Sequence, residues 1–251
     1  MKRIRVLPGP VHGMAVYQRR AAGSADWEGF RRTRAHTALL DELESLQHGL
    51  CAYCETRLVR DDRQVEHVVP TAGARGAPRV FDPANLVACC LGGTNRPLQG
   101  AGEGGASRFR DPPGRDQSCG QAKGDSSIPG FLDPRTLPAS PSILRVGPNG
   151  KIRASPEACA TAGVDPDRVR RTIRLLNLNS ERLRTARKIH WDALEDEWKE
   201  DADDGLVFTQ AARAELLPDE VDRLHGFFTT RRSFFGSAGE RILAEPPQDW
   251  I

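Results

Sequence analysis

Cys51 and Cys54 stand three positions apart in "GLCAYCETRLVRDDRQVEHVVP", residues 49 to 70, and the dipeptide Glu66-His67 follows in the same stretch. A C-x-x-C segment folds into a tight knuckle that aims two thiolates at one ion, and zinc takes four such ligands in a tetrahedral array. The second pair must come from Cys89, Cys90 and Cys119, because Cys159 is isolated far beyond them. Cys119-Gly120-Gln121-Ala122-Lys123 reads as a turn entering a short helix with Cys119 at its start. Cys90 is its expected companion, with Cys89 pointing the other way if that segment is extended. The expectation is a structural Zn²⁺ held by Cys51, Cys54, Cys90 and Cys119. Such a site contributes about 10 to 16 kcal/mol of apparent binding energy, enough to organise a segment that burial alone would not hold.

The other residues with chemistry to offer are Glu66, His67, Asn85, Lys123 and Asp125. Gln64 to Val69 reads as a strand ended by Pro70. Neighbours on a strand point to opposite faces, so Glu66 and His67 share one site only where the strand ends or twists. A carboxylate oxygen holds a hard divalent ion, and a neutral imidazole takes a proton from water. An asparagine offers both donor and acceptor to hold an imidazole or a backbone group. Lys123 is assigned to phosphate contact, and Asp125 is an auxiliary carboxylate.

In order, C-x-x-C, Glu-His-x-x-Pro, Asn85-Leu86-Val87 running to Cys90, and Cys119-Gly120-x-x-Lys123-Gly124 resemble the zinc-braced branch of the HNH endonucleases, the beta-beta-alpha-metal nucleases. More narrowly, the chain looks like the HNH subunit of the Septu antiphage system, which also accompanies some retrons and works with an ABC or SMC-like ATPase. The likeness is best over residues 49 to 125, and Ile173-x-x-Leu176-Asn177-Leu178-Asn179-x-x-x-Leu183-x-x-x-Arg187 looks like the helical C-terminal part of the same group. The resemblance implies that Glu66 binds a catalytic Mg²⁺ or Mn²⁺, that His67 is the general base, and that Asn85 orients the histidine or its loop. It favours DNA as substrate, and nothing in Glu66, His67 or Asn85 excludes RNA. Many relatives place asparagine or histidine after the last cysteine, where this chain has Gly120, which carries no ligand atom.

The fold class expected is α+β: an HNH core braced by the four-cysteine zinc site, an N-terminal helix and a helical C-terminal region. The divisions are a basic, helical extension over 1–48, the core over 49–130 with a glycine-rich insertion at 91–118, and a linker with mainly helical packing or partner-binding structure over 131–251. Residues 24 to 48 read as helical, capped by Ser24 or Asp26, broken near Thr33 to Thr37 and stopped at Gly49. Ten glycines and four prolines between 91 and 130 preclude regular structure throughout. After the proline-rich "IPGFLDPRTLPASPS", Ile143–Val146 and Lys151–Arg153 form an expected hairpin. Asp165-Pro166 opens a long helical region interrupted near Asn177 to Ser180, and a further short helix is expected over 219–228. Phe227, Phe228, Phe234 and Phe235 are expected to close a core.

With 38 % hydrophobic and 28 % charged residues the chain reads as soluble. No apolar run approaches the roughly 18 residues that a membrane span needs, and dilute cysteines in ligand spacing favour the reducing cytoplasm. Residues 1–36 hold eight Lys or Arg against two acids, 168–188 hold eight against Glu181, and 192–204 hold eight acids against Lys199. The basic blocks are candidates for phosphate contact. No G-K-S/T ending follows the glycine-rich loop, so any ATP dependence comes from another chain. The ATPase is expected to meet the apolar side around Ile173, Leu176, Leu183 and Trp198. Two other readings remain: a noncatalytic zinc module binding nucleic acid or the ATPase, and an interaction subunit dominated by its C-terminal helices.

Overall fold

The structure is a computed structural model, and it describes residues 1–21, 23–72, 77–94, 116–126, 130–198 and 205–245. Most of the glycine-rich insertion lies outside the described residues. Helices α1 (His12–Arg20), α2 (Trp27–Arg31) and α3 (Arg34–Leu46) come first. Asp26 caps α2 by accepting from the Gly29 N–H, and Thr33 starts a new helix by accepting from the His36 N–H. The break expected near Thr33 is therefore a cap. Leu39, Leu40 and Leu43 turn one face of α3 inward, and Gly49 ends the run at φ +77°, a conformation that costs glycine little.

Strands β1 (Gln64–His67) and β2 (Leu86–Cys89) pair antiparallel, with Glu66 opposite Val87 and His67 opposite Leu86, and α4 (Cys119–Lys123) follows. The β-β-α order matches the expected core. Gln47 at the end of α3 completes the outer edge of β2: its amide donates to Ala88 O at 2.8 Å and accepts from Ala88 N–H at 2.7 Å. One side chain thus bonds both backbone groups of a buried strand residue, whose carbonyl also accepts from Ala52 N–H at 3.1 Å.

Strands β3 (Leu144–Val146) and β4 (Ile152–Ala154) form the expected hairpin, followed by α5 (Pro156–Thr161), α6 (Pro166–Leu175), α7 (Glu181–Trp198), α8 (Gly205–Leu216) and α9 (Phe228–Ala244). Asp165 caps α6. Residues 219–228 do not form the expected helix. Asp219 Oδ1 accepts from the N–H groups of Val221 and Arg223, a side-chain turn that competes with helical bonding.

One core cluster joins Phe30 and Leu39 of the N-terminal helices, the knuckle, β2, Leu132 and Leu137 of the proline-rich segment, the β3–β4 hairpin and Leu176, Leu178 and Leu183. A second gathers Leu194, Leu216, Phe228, Phe235 and Ile242, with Trp198 and Phe234 against it. The phenylalanines close cores as expected. Ile173, Leu176 and Leu183, expected to face an ATPase, are buried inside the chain instead. Internal packing produces the same three- and four-residue periodicity as an interface does.

Candidate metal centre and active site

The knuckle is held by a bond from Cys51 N–H to Thr56 O, by Glu55 at φ +65°, and by Glu55 O accepting from Phe227 N–H at 2.7 Å just before α9. The Glu55 carboxylate accepts from Thr229 N–H and from Thr229 Oγ, fixing the knuckle to the first turn of α9. Cys90 arrives from the end of β2. Cys119 begins α4 in a left-handed conformation (φ +59°) and is pinned by its N–H donating to Leu176 O at 2.9 Å.

The Sγ atoms of Cys51, Cys54, Cys90 and Cys119 all lie within 4.8 Å of one another, and all four residues are buried. The separations are 3.6 Å for Cys54–Cys90, 3.7 Å for Cys90–Cys119 and 3.9 Å for Cys51–Cys119. A tetrahedral ion with zinc–sulfur bonds of about 2.3 Å sets its sulfurs about 3.8 Å apart. The four thiols therefore fit a zinc ion. The expected ligand set is the one the fold assembles, with one correction: Cys89 does not turn fully away, since its Sγ lies 3.8 Å from that of Cys51. β2 ends at Cys89, and past a strand end alternation no longer separates neighbours.

Arg187 is a residue of the centre whose role the sequence did not disclose. It is 2 % exposed, donates to Gly150 O and Leu178 O, and lies within the field of Cys54, Glu55 and Cys119. Burial pulls its guanidinium down to about 10, against those acidic groups, and it remains a cation at neutral pH. Four thiolates around one dication leave a net negative charge, which a buried arginine offsets.

Glu66 and His67 occupy the last two positions of β1 and part company there. The Glu66 carboxylate turns to α4, where Lys123 Nζ, from a residue only 3 % exposed, sits 2.8 Å from Oε1. Burial raises the Glu66 pKa, and the Lys123 ammonium opposes that rise. Gly120 makes the room: a Cβ there would fall 2.5 Å from Glu66 Oε2. Lys123 also donates to the His67 carbonyl at 3.0 Å, so one ammonium ties both residues to α4.

The His67 ring lies against Trp27, with centroids 4.6 Å apart in an edge-to-face arrangement. Its Nε2 is 2.9 Å from Val80 O. A carbonyl only accepts, so Nε2 carries the proton and Nδ1 keeps the lone pair in the neutral ring. Burial lowers the His67 pKa, with the Val80 bond opposing and Lys123 adding to the fall, so the ring is neutral near pH 7. Among the described residues no hydrogen bond joins the Glu66 and His67 side chains.

Asn85 holds the loop after the histidine. Its Oδ1 accepts from Val69 N–H at 2.8 Å, and its Nδ2 donates to Val69 O at 3.0 Å and to Arg79 O at 3.2 Å. Asn85 thus ties Val69 to Arg79, the residue directly before Val80, and it acts on the imidazole through the Val80 carbonyl. Asp125 is exposed and reaches Glu66 only through its charge. Trp27 carries no local signal in the sequence, because α2 reaches β1 only in three dimensions.

A catalytic divalent ion finds one protein carboxylate here, Glu66, already paired with Lys123. The cysteines form the one preassembled cluster of three or more His, Cys, Asp or Glu ligand atoms among the described residues. Magnesium commonly relies on one or two carboxylates, with substrate phosphates and water supplying the rest, so Glu66 fits as the protein's share of such a site.

Together these features define a β-β-α unit with a four-cysteine metal centre on one side and a neutral, carbonyl-anchored histidine on the other. No family profile matches the chain. It is 30 % identical over 149 residues to the Vibrio cholerae protein named "Retron Vc95 putative HNH endonuclease", covering 59 % of this chain and 60 % of that protein. It is 28 % identical over 184 residues to the Escherichia coli protein named "Retron Ec83 putative HNH endonuclease", covering 64 % of this chain and 69 % of that one. The chain thus spans less than two thirds of the Vibrio relative's length. These distant relatives support an HNH endonuclease relationship. No described helix is long and apolar enough to cross a membrane.

Proposed function

We propose that this chain is an HNH endonuclease that hydrolyses phosphodiester bonds, with DNA as its first substrate class, and that it serves as the effector of a retron- or Septu-type antiphage complex. The observation that carries the reading is the His67 geometry: Val80 O holds Nε2–H, leaving the Nδ1 lone pair to take a proton from an attacking water. Asn85 keeps that carbonyl in place. Lys123, released from Glu66, meets the scissile phosphate as a point charge. Glu66 is the residue that would hold a magnesium or manganese ion, which when bound polarises the phosphate and stabilises the leaving oxygen. The four cysteines hold zinc for structure alone.

The defence role and an ABC or SMC-like ATPase partner rest on the resemblance and on the names of the retron relatives. The buried Ile173–Leu183 face does not serve that partner; among the described residues the exposed large apolar side chains of the C-terminal half are Ile189, Leu206 and Val221. A noncatalytic zinc module is the second reading. It draws on Glu66 being already neutralised by Lys123 and on Gly120 offering no ligand.

The test is cleavage of duplex DNA, single-stranded DNA and RNA by the full chain, alone and co-expressed with a neighbouring ATPase, with and without magnesium or manganese. Divalent-dependent cleavage supports the nuclease. Nucleic-acid or ATPase binding without cleavage in any arm supports the second reading.

A further inference from the structure

The basic run 168–188 looks in the sequence like a phosphate-binding face, yet the fold employs most of it internally. Arg170 pairs with Asp167, Arg171 with Asp165 and Lys188 with Asp192; Arg168 donates to Gly130 O, Arg182 to Ser118 Oγ, and Arg187 is buried. Two arginines outside any charge run behave differently. β3 and β4 pair so that Arg145 lies directly opposite Arg153. Both are exposed, while Leu144, Val146 and Ile152 on the other face are buried. Alternation along each strand therefore commits both guanidinium groups to the outer face of one short hairpin.

Directly opposed residues hold their Cβ atoms about 4.5 to 5.5 Å apart, and like charges there destabilise the pairing. Among the described residues neither arginine has an ion-pair partner. A hairpin that carries this repulsion presents two guanidinium forks side by side, and that fork geometry matches phosphate oxygens.

The hairpin is also tied to the segment that enters α4 at the metal centre. Asn179 bonds both backbone groups of Ile152, at 2.9 Å each, next to Arg153. Two residues earlier, Asn177 donates to Gln117 O, and Leu176 O accepts from Cys119 N–H at the start of α4. One four-residue turn grips the hairpin and the helix that carries Lys123.

We propose that Arg145 and Arg153 together bind the phosphodiester backbone of the nucleic acid. This rests on the nuclease reading and adds to it where the strand lies. The test measures binding of duplex DNA and of RNA by fluorescence anisotropy across a salt series, in the full chain carrying His67→Ala so that the substrate stays intact. Arg145→Ala/Arg153→Ala should weaken binding about tenfold or more near physiological salt and flatten the log–log salt slope by about two, one for each lost phosphate contact. Arg145→Glu, which sets opposite charges across the hairpin, should weaken binding further while leaving the thermal midpoint equal or higher, so that loss of fold is not the cause. Arg213→Ala, on α8, should bind as the parent does. Equal affinity and slope in both hairpin variants overturns the inference, as does a His67→Ala parent that binds neither polymer. Cleavage by the unsubstituted chain, followed in parallel, reports separately on the nuclease reading.

Discussion

Gly120→Ala is the smallest change that tests how the two carboxylate-facing elements fit together. The new Cβ would fall 2.5 Å from Glu66 Oε2 and 2.9 Å from its Cδ, against about 3.4 Å or more for ordinary contact. The atoms in the way are the end of a side chain, so the fold has a cheap response: the carboxylate rotates off α4. That response breaks the 2.8 Å Lys123 pair and moves Glu66 from its place. Overpacking of this kind costs about 1 to 3 kcal/mol, which in a chain of this length lowers the melting temperature by a few degrees. Zinc stays bound, because no thiol moves. Cleavage should fall far more than stability does, about a hundredfold, since a misplacement of 1 Å at a reacting group has that effect. Adding Glu66→Asp, whose side chain is one carbon shorter, should relieve the clash and restore part of the rate. The assay is single-turnover cleavage beside zinc analysis and thermal unfolding. A Gly120→Ala variant that cleaves at the parental rate would refute the packing argument.

Other outcomes follow from the same structure. Cys51→Ser or Cys54→Ser should lose about one zinc per chain and unfold the segment around 49–125, whereas Cys159→Ser should keep its metal, as read by mass spectrometry. Trp27→Leu should lower kcat about ten- to hundredfold with little change in KM, because it frees the His67 ring; Trp27→Phe should retain much of the rate, and equal KM and kcat losses would point to general disruption instead. Burial, Arg231 and His225 pull the His190 pKa down to about 4, below its unfolded value near 6.5. The unfolded chain then binds more protons between those values, so stability is whole above about pH 6.5 and falls as the pH drops toward 4, by on the order of 1 to 3 kcal/mol. His190→Gln should flatten that limb of a denaturation series, and an unchanged limb would remove His190 as its source.

The parts of this architecture that were legible in the sequence are those set by local rules. C-x-x-C spacing and the helix-starting Cys119 pointed to the ligand set, although the alternation used to set Cys89 aside does not hold past the strand end, and Asp26 and Asp165 disclosed helix starts because their caps are local. The last helix escaped notice for a physical reason. Phe227 enters α9 in a left-handed conformation without a side-chain cap, and Gly236 breaks it internally at φ +51°. The partner face was misplaced because apolar periodicity reports burial and not what does the burying. Lys123 was assigned to phosphate, but its resting partner is Glu66, and only the fold discloses that Gly120 leaves the carboxylate room to reach it. Trp27 and Arg187 act across contacts distant in sequence, so local pattern disclosed neither residue's role.

The most direct measurement of the central claim is single-turnover cleavage by the assembly carrying His67→Ala against the unsubstituted one, with zinc content measured on the same samples. Removing the base without touching a thiolate should leave about one zinc per chain and slow cleavage by about 10²- to 10⁴-fold, the usual cost of losing a positioned acid–base group. A folded, zinc-loaded His67→Ala protein that cleaves as fast as its parent would contradict the account, and the histidine held by Val80 would then be part of an ordinary strand end.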